Sequence, residues 1–271
     1  MPREHLRLSA VPATLDTRAM PASPASPSPR SAIDDELLPG GTAKVLPERA
    51  VLRRADTAQN AALLGLAGFG GLFALVRARR SEAVDAALML RWQAFKHPSL
   101  ARIMTVISWP GFPPQSRIIP PLIVSGFWLS RLRVEAFMQL LAWGTGGLSE
   151  VLKSVMRRPR PVAGTDLRVV AAPLGGSSFP SGHVIVYAGT YGWLAYVAHS
   201  LVRPRWPRRV LVGGLAGLVA AVGPSRIYQG HHWPTDVAAS YLLGMSYLVG
   251  LASIYRRLKG RRLHGHRVHP E

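Results

Sequence analysis

The chain has 271 residues, a hydrophobic content of 48%, a formal net charge of +19 and no cysteine. The lack of thiols excludes disulfide staples and a cysteine nucleophile. So basic a balance would suggest nucleic acid in a soluble protein, but basic loops between apolar runs are the pattern of membrane topology, so no nucleic-acid partner is expected.

Residues 1–55, with a Pro-Ala-Ser stretch at Pro21–Pro29, cannot build a core and read as a disordered tail. They lack the early apolar region of a cleaved signal peptide. Ala61 to Val76 is the first span candidate, short of the roughly 20 residues that hydrocarbon thickness asks for. Its glycines Gly65, Gly68, Gly70 and Gly71 predict close helix contact. In the next segment Val84, Ala87, Leu88, Trp92 and Phe95 share one helical face, while Asp85, Arg91 and Lys96 interrupt any continuous apolar run. The pattern predicts an amphipathic helix lying at the membrane interface.

After the Pro-rich turn Pro110–Pro114, a second span runs from Ile118 to Ser130, with an irregular entry at Pro120 and Pro121. Val134–Leu152, Val184–Val202, Val210 to about Gly223 and Val237–Tyr255 complete the set. The expected fold is all-α: a polytopic six-transmembrane-helix bundle over residues 56–256 with an additional interfacial amphipathic helix, followed by a basic tail over 257–271. Three basic connections, Arg131/Arg133, Arg203–Arg209 and Arg256–Arg262, lie on one face of such a bundle, which makes that face and both termini cytoplasmic. Arg77, Arg79 and Arg80 resist the rule, since they fall on the opposite side.

Chemistry-bearing residues gather at the outward ends of the spans. In Ser225-Arg226-Ile227-Tyr228-Gln229-Gly230-His231-His232-Trp233-Pro234-Thr235-Asp236, Pro234 suits a helix start and places His232 and Asp236 four residues apart across it. A carboxylate that fixes an imidazole tautomer makes a nucleophile or base. Equally, Asp236 could only complement the helix N-terminus, with His232 at a membrane interface. Two further stretches bear on the choice. Lys153-Ser154-Val155-Met156-Arg157-Arg158-Pro159-Arg160-Pro161 follows one apolar run, and Phe179-Pro180-Ser181-Gly182-His183 precedes another. Lys153, Arg157 and Arg160 are spaced to share one face of a helix end, and a basic cluster on the outward side wants an anionic substrate.

Taken together, Lys153, Arg160 and Pro161; Pro180, Ser181, Gly182 and His183; and Ser225, Arg226, His232 and Asp236 resemble, in order and spacing, the phosphatidic acid phosphatase type 2/haloperoxidase superfamily. With the flanking apolar segments the likeness extends over about residues 60–256. It implies a membrane lipid phosphate or diphosphate phosphatase. Lys153, Arg160 and Arg226, with Ser181 and the Gly182 N–H, would bind phosphate. His232 would attack phosphorus to form a phosphohistidine with Asp236 on its other nitrogen, and His183 would protonate the leaving alkoxide. No metal or other cofactor is expected; the partners are the lipid phosphate and the bilayer. Arg157 has no place in the pattern. His231 is read as lining the pocket or facing headgroups, His264, His266 and His269 as part of a flexible tail, and Trp233, Tyr228 and Trp193 as packing or interface aromatics. The alternatives are a vanadate-dependent haloperoxidase, a lipid phosphotransferase, or a non-catalytic binder of anionic lipid.

Overall fold

A computed structural model describes residues 48–162, 167–169 and 175–265, and every regular element in them is helical. They are α1 (Glu48–Arg77), α2 (Glu82–Gln93), α3 (Pro98–Ser108), α4 (Gln115–Leu129), α5 (Arg133–Trp143), α6 (Thr145–Met156), α7 (Gly182–Leu201), α8 (Arg205–Tyr228) and α9 (Pro234–Gly265). The first and last helices reach into both stretches expected as tails; the rest of those tails lies outside the described residues.

Three helical stretches are long and apolar enough to cross a membrane among the described residues: Asp56–Arg77 in α1, Arg205–Tyr228 in α8 and Pro234–Lys259 in α9. The other expected spans differ for identifiable reasons. Helix α7 is the central element, packed against α5, α6, α8 and α9. Its Tyr187, Trp193 and Thr190 are fully buried in protein, so it does not need the greasy surface of a lipid-facing helix. Expected as one span, Val134–Leu152 is two helices that meet at Gly144, where the Thr145 hydroxyl donates to the Ala142 carbonyl (2.8 Å). Helix α4 runs unbroken through Pro120 and Pro121, contrary to the irregular entry expected there.

The glycines of α1 divide. A Cβ at Gly65 would overlap the Ser246 hydroxyl of α9, and one at Gly68 would stand 3.1 Å from Leu242, so these two let α1 lie along α9. Gly70 and Gly71 face open space and contribute nothing to that contact.

On the apolar face outlined for α2, Val84, Ala87 and Leu88 are exposed, but Trp92 is half-buried with its Nε1 donating to the Pro224 carbonyl of α8 (2.9 Å), and Phe95 lies beyond the helix. What it buries is the opposite stripe, Asp85, Met89 and Gln93, against α8 and α9. Helix α3 was not anticipated, although its start is signalled: Pro98 occupies the first turn and His97 Nδ1 accepts from Ser99 N (3.2 Å). It ends at Ser108, and a single 3₁₀ turn, Trp109–Gly111, carries the chain across the N-terminal end of α7.

Candidate active site

Four helix termini and two connecting segments meet at that end of the bundle. Helix α6 stops at Met156. Arg157 takes the left-handed conformation that terminates helices (φ 49°), and Pro159 and Pro161 forbid its resumption. The helical face expected to present Lys153, Arg157 and Arg160 together therefore does not exist. Arg157 is exposed, with its Nε donating back to the Ser154 carbonyl (3.1 Å). Lys153 stays on α6 with Nζ 2.6 Å from Glu150, and a Cβ at Gly182 would lie 3.2 Å from that Nζ. Arg160 is fixed by donation to the carbonyls of His231 (2.9 Å) and Ser177 (3.1 Å), with Nη1 3.2 Å from His232 Nε2.

The segment after α6 pairs with the one before α7: Ser178 N donates to the Arg158 carbonyl (2.8 Å) and Arg158 N to Ser177 Oγ (3.0 Å). This pairing sets the Ser178 carbonyl 2.7 Å from His232 Nδ1. A carbonyl only accepts, so Nδ1 carries the proton and Nε2 keeps its lone pair. Asp236 does not make that hydrogen bond. Its Oδ2 lies 3.8 Å from Nδ1 and instead accepts from Trp233 N (2.9 Å) at the start of α9. Asp236 thus complements the helix start and stands beside the imidazole, while the tautomer is held by the Ser178 carbonyl.

Its other oxygen, Oδ1, receives Arg158 Nη1 at 2.5 Å. Arg158 Nη2 lies 2.6 Å from Asp85 of α2, and Asp85 also accepts from Thr235 N (2.9 Å) and Thr235 Oγ1 (2.8 Å). Asp85 and Asp236 are fully buried and Arg158 nearly so. The chain Asp85–Arg158–Asp236 escaped the sequence reading, which saw Arg158 as one of several loop cations and Asp85 as an interruption of an apolar face.

Ser181 caps α7, with its N–H donating to Ser240 Oγ (2.7 Å) and its own hydroxyl buried without a partner among the described residues. His183, in the first turn of α7, packs edge-on against Phe112, ring centroids 4.8 Å apart. A Cβ at Gly111 would overlap the His183 ring, so only glycine permits this crossing. Arg226 ends α8, fully buried, 4.8 Å above the same Phe112 ring. Its Nη1 donates to Gln229 Oε1 (2.8 Å), and Ser108 of α3 contacts both Arg226 Nη1 (3.4 Å) and Ser225 Oγ (2.6 Å). Phe112, Gly111 and Ser108 are further residues the sequence reading passed over; an aromatic inside a Pro-rich turn was the available signal. His231 is buried against Phe112, as a pocket-lining residue would be.

Burial, followed by the charge of Arg226, holds His183 and His232 well below the usual imidazole range and pushes His231 down to about 3. Burial also lowers Arg160. Among the described residues, Arg226 Nε and Nη2, Ser181 Oγ, Ser149 Oγ and His183 Nε2 are buried with no hydrogen-bond partner, and Arg226 has no carboxylate partner. Buried donors of this kind are costly unless an acceptor meets them. A tetrahedral oxyanion offers acceptors in several directions at once. No three His, Cys, Asp or Glu side chains converge among the described residues.

A family model for the PAP2 superfamily matches residues 136–259. The chain is 33% identical over 184 residues to phosphatidylglycerophosphatase B of Bacillus subtilis, covering 64% of this chain and 84% of that protein. An undecaprenyl-diphosphatase of Sulfolobus acidocaldarius is 34% identical over 100 residues, 36% of this chain and 43% of that one. Among solved structures, the PAP2-type phosphatidylglycerolphosphate phosphatase of Bacillus subtilis superposes with a TM-score of 0.64 at 25% identity, over 72% of this chain and 96% of that chain.

Proposed function

Because the chain belongs to the PAP2 superfamily and is a membrane phosphatase of that family, we propose that it removes phosphate from a lipid mono- or diphosphate through a phosphohistidine on His232, without a metal. The observation that carries this reading is the state of His232: Nδ1 is tied to a backbone carbonyl, and Nε2 keeps its lone pair beside Arg160. Lys153, Arg160 and Arg226, with Ser181 and the Gly182 N–H, hold the phosphate oxygens; His183 delivers a proton to the leaving oxygen, and water then releases phosphate from His232. The cations supply in fixed form the charge stabilisation that a transferring phosphoryl group needs. Asp236, through Trp233 N and Arg158, holds the start of α9 and balances the site's positive charge. The relatives named for phosphatidylglycerophosphate and undecaprenyl diphosphate mark the substrate class, an anionic headgroup on a tail that stays in lipid.

In this reading six helical passes cross the bilayer, with α5 and α6 together making one, α2 lying at the interface and both termini cytoplasmic. The loop charges support it. A reporter fused after Arg257 is expected to read cytoplasmic, and a cysteine at the exposed Val162 to react with an impermeant reagent in intact cells. Protection of Val162→Cys together with an external C-terminus would reverse the orientation.

Acid quench during turnover of a radiolabelled lipid phosphate is expected to trap phosphoenzyme from wild type and none from His232→Ala. Phosphate release should persist in excess EDTA. Loss of activity in chelator with recovery on adding Mg²⁺ would sink the metal-free mechanism. Halide oxidation by vanadate-loaded protein would favour the haloperoxidase alternative.

A further inference from the structure

A second basic feature lies beside the site and takes no part in the chemistry above. A cavity of about 600 Å³ is walled by Val76 and Arg77 of α1, Arg79 just beyond it, and Arg157, Arg158 and Trp233. Trp233 Nε1 donates to the Pro159 carbonyl (3.0 Å), and both residues line the cavity. Their neighbours in sequence, His232 and Arg160, belong to the candidate site and not to the cavity lining.

The charges in this cavity are unbalanced. Arg158 is committed to Asp85 and Asp236, and Arg79 has Glu82, also in the wall, at 4.0 Å. Arg77 and Arg157 have no carboxylate partner among the described residues. Each instead donates to a carbonyl in the last turn of α6, Arg77 Nη1 to Val155 (3.4 Å) and Arg157 Nε to Ser154 (3.1 Å). Those contacts hold two guanidinium groups at one opening. The rest of the wall, Val76, Met156, Pro159 and Trp233, is apolar. Val76 and Arg77 close the membrane-crossing stretch of α1, so the cavity sits where hydrocarbon gives way to headgroups. Its volume lies in the roughly 300–1,000 Å³ range of small-ligand pockets, far beyond what a bare phosphate fills.

We propose that this cavity is an accessory binding site for the phosphodiester headgroup of an anionic phospholipid, held by Arg77, Arg79 and Arg157 with the glycerol side against Val76 and Trp233. It also gives a reason for arginines that loop charge would place on the other side of the membrane. The proposal rests on the family reading only in assuming that the protein is embedded in lipid.

Native mass spectrometry of the full-length protein released from nanodiscs containing phosphatidylglycerol and phosphatidylcholine tests it directly. Wild type is expected to retain phosphatidylglycerol in preference to phosphatidylcholine. An arginine near an anionic headgroup strengthens attraction about fivefold, so Arg77→Gln with Arg157→Gln should weaken retention about 30-fold. Arg102→Gln, which removes one exposed arginine of α3 outside the cavity wall, should leave it unchanged. His232→Ala should retain the lipid while inactive, which separates this proposal from the catalytic one. Equal retention by the double variant and wild type, or an equal loss in Arg102→Gln, would overturn it. Displacement of the lipid by millimolar inorganic phosphate would also overturn it, by identifying a free-phosphate site instead.

Discussion

Alanine at His232 is expected to bring phosphate release from every substrate to background, a loss on the order of 10⁴-fold or more, because no other group on the chain would take the phosphoryl transfer over. Alanine at His183 should behave differently. With a lipid alkoxide, which leaves poorly unless protonated, the loss should approach the upper end of roughly 10²–10⁴. With a nitrophenolate, which needs no proton, it should be much smaller. The pH dependence carries the same assignment. His232 must be neutral to attack, and its depressed pKa keeps it so on the acid side of the usual imidazole range, moving the acid limb of activity down. His183 must be protonated to act as acid, yet burial and Arg226 lower its pKa as well. A bound phosphate dianion opposes that shift by placing negative charge beside the ring. The basic limb of kcat, which reports the complex, should therefore lie at higher pH than that of kcat/KM, which reports the free enzyme. Equal losses for both leaving groups in His183→Ala, with phosphoryl transfer rate-limiting, would remove the acid role.

Asp85 is the second large effect expected. Asp85→Ala leaves the Arg158 guanidinium buried with one of its two carboxylates gone, and removes the acceptor for Thr235 N at the start of α9. Breaking a buried pair from one side typically costs about 3–5 kcal/mol, so the melting temperature in detergent should fall by many degrees. Asp85→Leu with Arg158→Met should recover none of that loss, because removing Arg158 leaves the buried Asp236 carboxylate without its guanidinium partner. Activity should fall with stability. A single Asp85→Ala protein as stable as wild type would show that the pair is solvated and structurally idle.

The candidate residues Lys153, Arg160, Ser181, His183, Arg226, His232 and Asp236 could be picked out because each lies in a helix end or a few residues from one, with local spacing inside three short stretches. The structure brings those stretches to one end of α7. Asp85 was not legible: its partner Thr235 lies 150 residues away, and a lone acid on an apolar-faced helix looks like a solvated interruption. Arg157 was grouped with Lys153 and Arg160, and Arg158 not singled out, because helical spacing was carried past Met156, where the helix ends. Apolar run length marked spans that length and composition of the helices do not single out by themselves, since Val134–Leu152 is broken at Gly144 and α7 is buried among its neighbours.

The hydrogen bond to His232 Nδ1 comes from a main-chain carbonyl, and that has a consequence for how the site tolerates change. A carbonyl belongs to every residue type, so no substitution at Ser178 deletes it. Scanning the side chains around His232 would leave the tautomer intact at each step and would register this contact as nothing at all. What can disturb it is a change in chain path: a residue inserted between Arg158 and Pro161, or a lost pairing between Arg158 and Ser178. The orientation of His232 is thus robust to point substitution and fragile to length, and variation in the length of the two segments is where this candidate site is most exposed to loss.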